Sequence, residues 1–131
     1  MAKSVTTESN EGFVSNTNLG EDSITIDGSG EETADTLEHL LATYAACYIP
    51  ALRVGAKQRN IGELGRIQIE AAGELNDNDK LESVTFDILV DTELDEEAAT
   101  TLITRANELC KVHDALKPSL YASVTINEVA V

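Results

Sequence analysis

The segment LLATYAACYIPALRVGA, residues 40–56, decides the fold of this chain. It carries a single charge, Arg53, in an otherwise acidic protein. The stretch is too short for a comfortable membrane span, and it contains a charge and a proline. Its apolar residues recur at spacings of three and four, so the sequence predicts a buried core helix. Asp35 or Thr36 is the expected N-cap, and the helix should end near Lys57 or Gln58.

The bulk composition is that of one folded domain spanning residues 1–131, with 42% hydrophobic residues. The net charge of -15 argues against nucleic acid or an anionic membrane as a partner, because phosphate binding needs a basic patch. The acidity fits either plain solubility or a salt-adapted surface, and composition does not separate the two. The first dozen residues lack the apolar stretch of a secretory signal, so we expect a cytoplasmic protein.

Alternation and turn residues predict the remaining elements. Short extended pieces are expected at 3–8, 12–17 and 22–27, a hairpin from 66–75 and 81–90, a helix over 95–110, and a last strand over 120–131 with a bulge near Asn127. Asp95 should cap the second helix. This order predicts an α+β domain in which helices pack against a largely antiparallel sheet.

Two cysteines, Cys47 and Cys110, are the chemically distinctive residues. In a reducing compartment such a widely separated pair is more often two thiols than a structural disulfide. The spacing of Cys110 from Ile103 and Ala106 predicts that it faces inward. Cys47 belongs to a predicted buried stripe made of Leu37, Leu40, Tyr44, Cys47, Ala51 and Val54. Spacing alone leaves open that both are simply small buried hydrophobes.

Metal binding is the other chemistry that the cysteines suggest. Cys110 and His113 are three residues apart, and His39 and Cys47 are the available partners for a tetrahedral site. Zinc sites are built from two close pairs of ligands, whereas the second pair here is eight residues apart along a helix. We therefore predict no metal site, and we expect His113 to be a polar residue in a surface turn.

Two segments are recognisable. TLEHLLATYAACYIPALRVGAK, residues 36–57, resembles the first-cysteine helix of the OsmC/Ohr family of thiol-dependent hydroperoxide reductases, of the type N-P-E-x-L-x-A-A-x-x-A-A-C-F. ANELCKVHDALKP, residues 106–118, resembles the second-cysteine motif of that family, of the type C-P-V-S/H-x-A/T-L. The element order and the separation of the cysteines also match. The resemblance covers nearly the whole chain from about residue 12.

The resemblance implies an OsmC-like fold with a long buried central helix, in an intertwined homodimer with two active sites at the interface. It implies a peroxidase of the oxidative stress response that needs no cofactor. Cys47 would attack an organic hydroperoxide, Cys110 would resolve the sulfenic acid to a disulfide, and a dithiol such as a lipoyl protein would reduce it. The composition of residues 40–56 also favours a homodimer, because one small sheet cannot cover a helix that is apolar nearly all round.

The chain departs from the family pattern around the first thiol. Family reductases place an arginine and a glutamate beside the reactive cysteine, but the glutamate position falls on Leu37 and no arginine precedes Arg53. Glu38 is one residue away, about 100° around the helix. The candidate activating residues are therefore Arg53, another residue of the dimer partner, or Glu38 if a different helix register brings it inward. Lys111 replaces the family's proline. The alternative function is a catalytically weak or inactive OsmC-like protein that binds an apolar small molecule at the dimer interface.

Overall fold

A computed structural model describes residues 2–131 of the chain. The chain divides into two compact units, Met1–Leu40 and Leu41–Val131. The elements in chain order are β1 (Thr6–Glu8), β2 (Val14–Leu19), β3 (Asp22–Asp27), α1 (Thr36–Gln58), β4 (Ile67–Leu75), β5 (Leu81–Val90), α2 (Glu96–Leu109), α3 (Lys111–Ala115), a 3₁₀ turn (Pro118–Leu120), β6 (Ser123–Ile126) and β7 (Val129–Ala130). The predicted α+β class is confirmed.

The first unit contains a three-stranded antiparallel sheet in the order β1-β2-β3. Strands β2 and β3 are joined by a two-residue loop in which Gly20 has a φ of 67°, a conformation that suits tight hairpin turns. Asp27 ends β3 and is buried within its own loop. Its carboxylate accepts hydrogen bonds from the Ser29 N–H at 2.9 Å, the Ser29 hydroxyl at 2.6 Å and the Glu32 N–H at 2.8 Å. The loop before α1 is therefore organised around one carboxylate.

The second unit contains a four-stranded sheet in the order β4-β5-β6-β7. Only the β5–β6 pair is parallel among the described strand pairs, so the sheet is largely antiparallel as predicted. Strand β5 alternates in the expected way, with Val84, Phe86 and Ile88 buried between exposed Thr85 and Asp87. One face of the sheet is thus available to cover helices.

The predicted single last strand with a bulge is wrong. Asn127 and Glu128 have φ values of 48° and 69°, and Ile126 pairs with Val129. Two consecutive left-handed residues form a tight hairpin turn, so the chain reverses between β6 and β7 instead of bulging. The Asn127 side chain stabilises this corner by accepting from the Val90 N–H at 2.9 Å and donating to the Thr92 carbonyl at 3.0 Å.

Helix α1 carries much of the core of the second unit. Tyr44, Tyr48 and Leu52 are buried in this core, and Phe86 of β5 contacts both tyrosines with ring centroids 4.6 and 5.1 Å away, in tilted and edge-to-face geometry. Burying such aromatic and aliphatic side chains stabilises a domain by about 1.5–3 kcal/mol each. The buried face is rotated from the predicted stripe, because Tyr48 is fully buried while Val54 is 45% exposed.

Candidate active site

Cys47 lies in the middle of α1, at the edge of the helix face that packs on the sheet. Its neighbours Tyr44 and Tyr48 are 1% and 0% exposed, whereas Cys47 itself is half-buried. The two tyrosines fix the rotation of α1 through their contacts with Phe86. Because the rotation of α1 is fixed in this way, the Cys47 side chain lies at the boundary between the core and the surface.

Cys110 lies behind this border, at the junction of α2 and α3. The sequence predicted it as part of the second helix, but it is the C-cap of α2 and the N-cap of α3. Its backbone N–H donates to the Ala106 carbonyl at 2.9 Å, and its Sγ accepts from the His113 N–H at 3.5 Å. The side chain is 1% exposed. The second thiol is thus held rigidly by the ends of two helices.

The two thiols, 63 positions apart in the sequence, lie close enough for each to shift the pKa of the other. Both cysteines are free. Burial raises the pKa of Cys47, but the Val112 N–H, the Cys110 thiol, and the N–H and charge of Lys111 outweigh it and lower the pKa below the ordinary value. Burial and the neighbouring Cys47 sulfur raise the pKa of Cys110. Cys47 is therefore the thiol that ionises first, and Cys110 is the thiol that keeps its proton.

A cleft of about 300 Å³ opens beside Cys47. Its lining consists of Cys47, Pro50, Ala51, Val54, Leu109 and Lys111. Four of these side chains are aliphatic, and the single charged group is the lysine. A small apolar ligand that enters the cleft therefore meets one half-buried thiol and one cation.

His113 is buried beside the thiols, so the expectation that it lies in a surface turn is wrong. It is 9% exposed, its Nδ1 lies 2.8 Å from the Tyr44 hydroxyl, and its ring stacks on Tyr121 at 3.9 Å. The Tyr44 oxygen also accepts from the Ala122 N–H at 3.1 Å, so its own proton is the one available for Nδ1. Burial lowers the pKa of His113, which is consistent with a neutral ring that accepts at Nδ1.

The two candidate activating residues have other partners. Glu38 belongs to the capping box of α1, where its carboxylate accepts from the Asp35 N–H at 3.1 Å and its own N–H donates to Asp35 at 2.9 Å. Arg53 donates from Nη1 to the Gly65 carbonyl at 2.9 Å. It lines a separate cavity of about 750 Å³ with Lys57.

Lys111 and the Tyr44–His113 pair are the residues that sequence reasoning did not place at the site. Tyr44 and His113 are 69 positions apart, and no local pattern links them. The sequence did give one indication for Lys111, because a residue other than proline after Cys110 retains a backbone N–H that can donate a hydrogen bond. Within residues 2–131 no group of three or more His, Cys, Asp or Glu side chains is arranged to hold a metal. Over the same residues, no helix is long and apolar enough to cross a membrane.

The fold and the paired thiols define a small two-cysteine α+β protein, and the comparison with known families is specific. The family model for OsmC-like protein matches residues 28–125, so the chain belongs to the OsmC family. An uncharacterised protein of Haloferax volcanii is 37% identical over 120 residues, which cover 92% of this chain and 91% of that protein. An organic hydroperoxide resistance protein-like protein of Mycoplasma pneumoniae is 28% identical over 102 residues, which cover 76% of this chain and 73% of that protein.

Solved structures share the fold at low sequence identity. The OsmC-like protein from Mycoplasma pneumoniae superposes with a TM-score of 0.79 at 16% identity, covering 97% of this chain and 95% of that one. The organic hydroperoxide resistance protein OhrB of Bacillus subtilis superposes with a TM-score of 0.71 at 22% identity, covering 97% and 98%. The expected OsmC-like fold is therefore confirmed over nearly the whole chain.

Proposed function

We propose that this protein reduces organic hydroperoxides with its two thiols. The Cys47 thiolate attacks the terminal oxygen of the hydroperoxide, the O–O bond breaks, and the leaving alkoxide takes a proton to become an alcohol. The sulfenic acid on Cys47 then condenses with the Cys110 thiol, which forms the disulfide and releases water. A dithiol, such as that of a lipoyl protein, returns both cysteines to the reduced state by thiol–disulfide exchange.

The observation that carries this proposal is the pairing of two chemically different free thiols. Cys47 is half-buried, lines a cleft, and has a lowered pKa, as an attacking thiol requires. Cys110 is 1% exposed and close enough to Cys47 for the two thiols to shift each other's pKa, which places it within reach to resolve a sulfenic acid on Cys47. The aliphatic cleft walls favour an apolar peroxide over hydrogen peroxide, because they offer a water-sized oxidant few polar contacts.

The same helix face supports a homodimer. Ala46, Pro50 and Val54 of α1 are exposed on the side that borders the cleft. A second copy of the chain packed on this face would cover these apolar side chains and close the cleft over Cys47. Sedimentation velocity should give a dimer, and Val54→Glu should give a monomer. A wild-type monomer at micromolar concentration would contradict this assembly.

The test of the reaction is the number of free thiols before and after one equivalent of cumene hydroperoxide. The wild type should rapidly lose both thiols and recover them with dihydrolipoamide. Cys47→Ser should lose none, because its remaining thiol is buried. Cys110→Ser should lose one without forming an intramolecular disulfide.

Thiols that survive excess peroxide in the wild type would refute the reductase. The apolar cleft would then favour the second candidate function, which is binding of an apolar small molecule. The loss of fluorescence when candidate ligands displace a hydrophobic dye from the cleft would measure this binding directly.

A further inference from the structure

We propose that Lys111 activates Cys47, presenting both its backbone N–H and its side-chain ammonium group to the sulfur. This inference rests on the proposed function, and it adds a third candidate activating residue to Glu38 and Arg53, whose side chains have the partners described above.

The position of Lys111 in the fold directs its N–H at the thiol. Lys111 is the first residue of α3, and Cys110 is the N-cap. The first N–H groups of a helix have no acceptor within the helix, so they are available to another group. The Lys111 and Val112 N–H groups both lower the pKa of Cys47, and Lys111 and Cys47 line the same cleft. The chain segment that carries the second cysteine therefore also solvates the first.

The side chain of Lys111 supplies a charge at the same place. Lys111 is exposed, and it lines the cleft together with Cys47. Its positive charge stabilises the thiolate form of Cys47. Arg53 lines the other cavity, where its guanidinium is engaged with the Gly65 carbonyl. Lys111 is thus the cationic residue of the cleft in which the chemistry would occur.

The two contributions of Lys111 are separable by substitution. Lys111→Gln keeps the N–H and removes the charge, Lys111→Arg keeps both, and Lys111→Pro removes both. Proline should be tolerated, since it is favoured at the first position of a helix. Cys110 already has the extended backbone, with a ψ of 113°, that a residue before proline adopts. Lys117→Gln is the matched control, because Lys117 is an exposed lysine outside the cleft lining.

The measurement is the rate at which iodoacetamide alkylates Cys47, followed by mass spectrometry of the peptide over roughly pH 5 to 9. At pH 7 we expect Lys111→Gln to react about twofold more slowly, after allowing for the higher intrinsic reactivity of a more basic thiolate. Lys111→Pro should react about fivefold more slowly or worse, because it also loses a hydrogen bond to a charged acceptor. In both variants the midpoint of the pH profile should move upward.

Salt dependence distinguishes the charge from the N–H. Raising the ionic strength to about 1 M should slow the wild type toward the rate of Lys111→Gln, and it should change Lys111→Gln much less. Lys111→Arg and Lys117→Gln should match the wild type. Wild-type pH profiles for both Lys111→Gln and Lys111→Pro would overturn the assignment.

The alkylation assay contains no peroxide, so its failure is distinct from failure of the proposed function. A shifted pH profile in a protein whose thiols survive cumene hydroperoxide would retain the role of Lys111 and refute the reductase. A normal reaction with cumene hydroperoxide together with unshifted pH profiles in the Lys111 variants would retain the reductase and refute the role of Lys111.

Discussion

Replacing Tyr44 with phenylalanine removes one oxygen atom from the wall behind the thiols and leaves the aromatic packing in place. Tyr44 is 1% exposed, and its ring contacts with Phe86 and Tyr48 need no hydroxyl. The hydroxyl accepts from the Ala122 N–H and lies 2.8 Å from His113 Nδ1. Tyr44→Phe therefore leaves one donor and one acceptor without their partner.

The expected cost follows from these two orphaned groups. A buried polar group that loses its partner costs about 1–3 kcal/mol. Ala122 is half-buried and His113 retains 9% exposure, so the cost for each should be near the lower limit. We expect a loss of about 2 kcal/mol in the free energy of unfolding, or about 6–10 °C in Tm for a domain of this size.

Urea unfolding at fixed protein concentration measures this loss, with a change of midpoint at constant slope. Tyr121→Phe is the matched control, because it keeps the ring that stacks on His113 and removes an oxygen from an exposed residue. The control should lie within about 0.5 kcal/mol of the wild type. A Tyr44→Phe variant as stable as the control would refute the role assigned to the Tyr44 hydroxyl.

Four further perturbations have defined outcomes. Burial lowers the pKa of His113 in the folded state. The contribution of neutral His113 to stability is therefore full above pH ~6.5 and is lost as the pH falls through the lowered pKa of the folded state. The difference in urea midpoint between wild type and His113→Gln should shrink on acidification over that range. Hydrogen bonds from Ser29 and the loop amides lower the pKa of Asp27 from 3.8 to about 2. The contribution of the Asp27 carboxylate to stability is therefore present above pH ~4 and lost between about pH 4 and 2. Asp27→Asn should remove the loss of structure in this pH range from an acid-unfolding curve followed by circular dichroism. Gly65→Ala should cost about 2 kcal/mol in urea unfolding, because φ is 73° and the added Cβ would lie 2.6 Å from the Asp91 carboxylate; an unchanged midpoint would contradict the close approach. Cys110→Ser treated with excess cumene hydroperoxide should gain the mass of two or three oxygen atoms at Cys47, since no second thiol traps the sulfenic acid, whereas the wild type should form a disulfide without that gain. Intact-protein mass spectrometry that shows the same oxygen gain in the wild type would count against the resolving role of Cys110.

Local signals were enough for most of the fold. The polar residues Asp35 and Thr36 before the apolar stretch predicted the start of α1, and the alternation around Phe86 predicted β5 and its inward face. The turn at Asn127 was missed, because a parity change in apolar residues looks the same for a bulge and for a two-residue reversal. The φ values distinguish the two, and Glu128 is an unusual residue for a positive φ.

The candidate site was predictable only in part. Cys47 and Cys110 were identified through the family resemblance, and their contact depends on tertiary packing that spacing does not reveal. The rotation of α1 was ambiguous, because apolar residues on nearly all sides give no unique buried face; Val54 was placed inward and is 45% exposed. Lys111 was noted only as a missing proline, since the consequence of a retained N–H depends on what lies opposite it.

Cys110 ends one helix and begins the next, so the atom that would carry redox chemistry is also a structural cap. Serine is among the best helix N-caps, and its hydroxyl accepts hydrogen bonds better than a thiol does. Cys110→Ser therefore does more than remove the thiol, because it also replaces a weak N-cap of α3 with a strong one. A comparison of Cys110→Ser with Cys110→Ala would separate loss of the thiol from loss of the cap, and experiments with serine alone would mix the two.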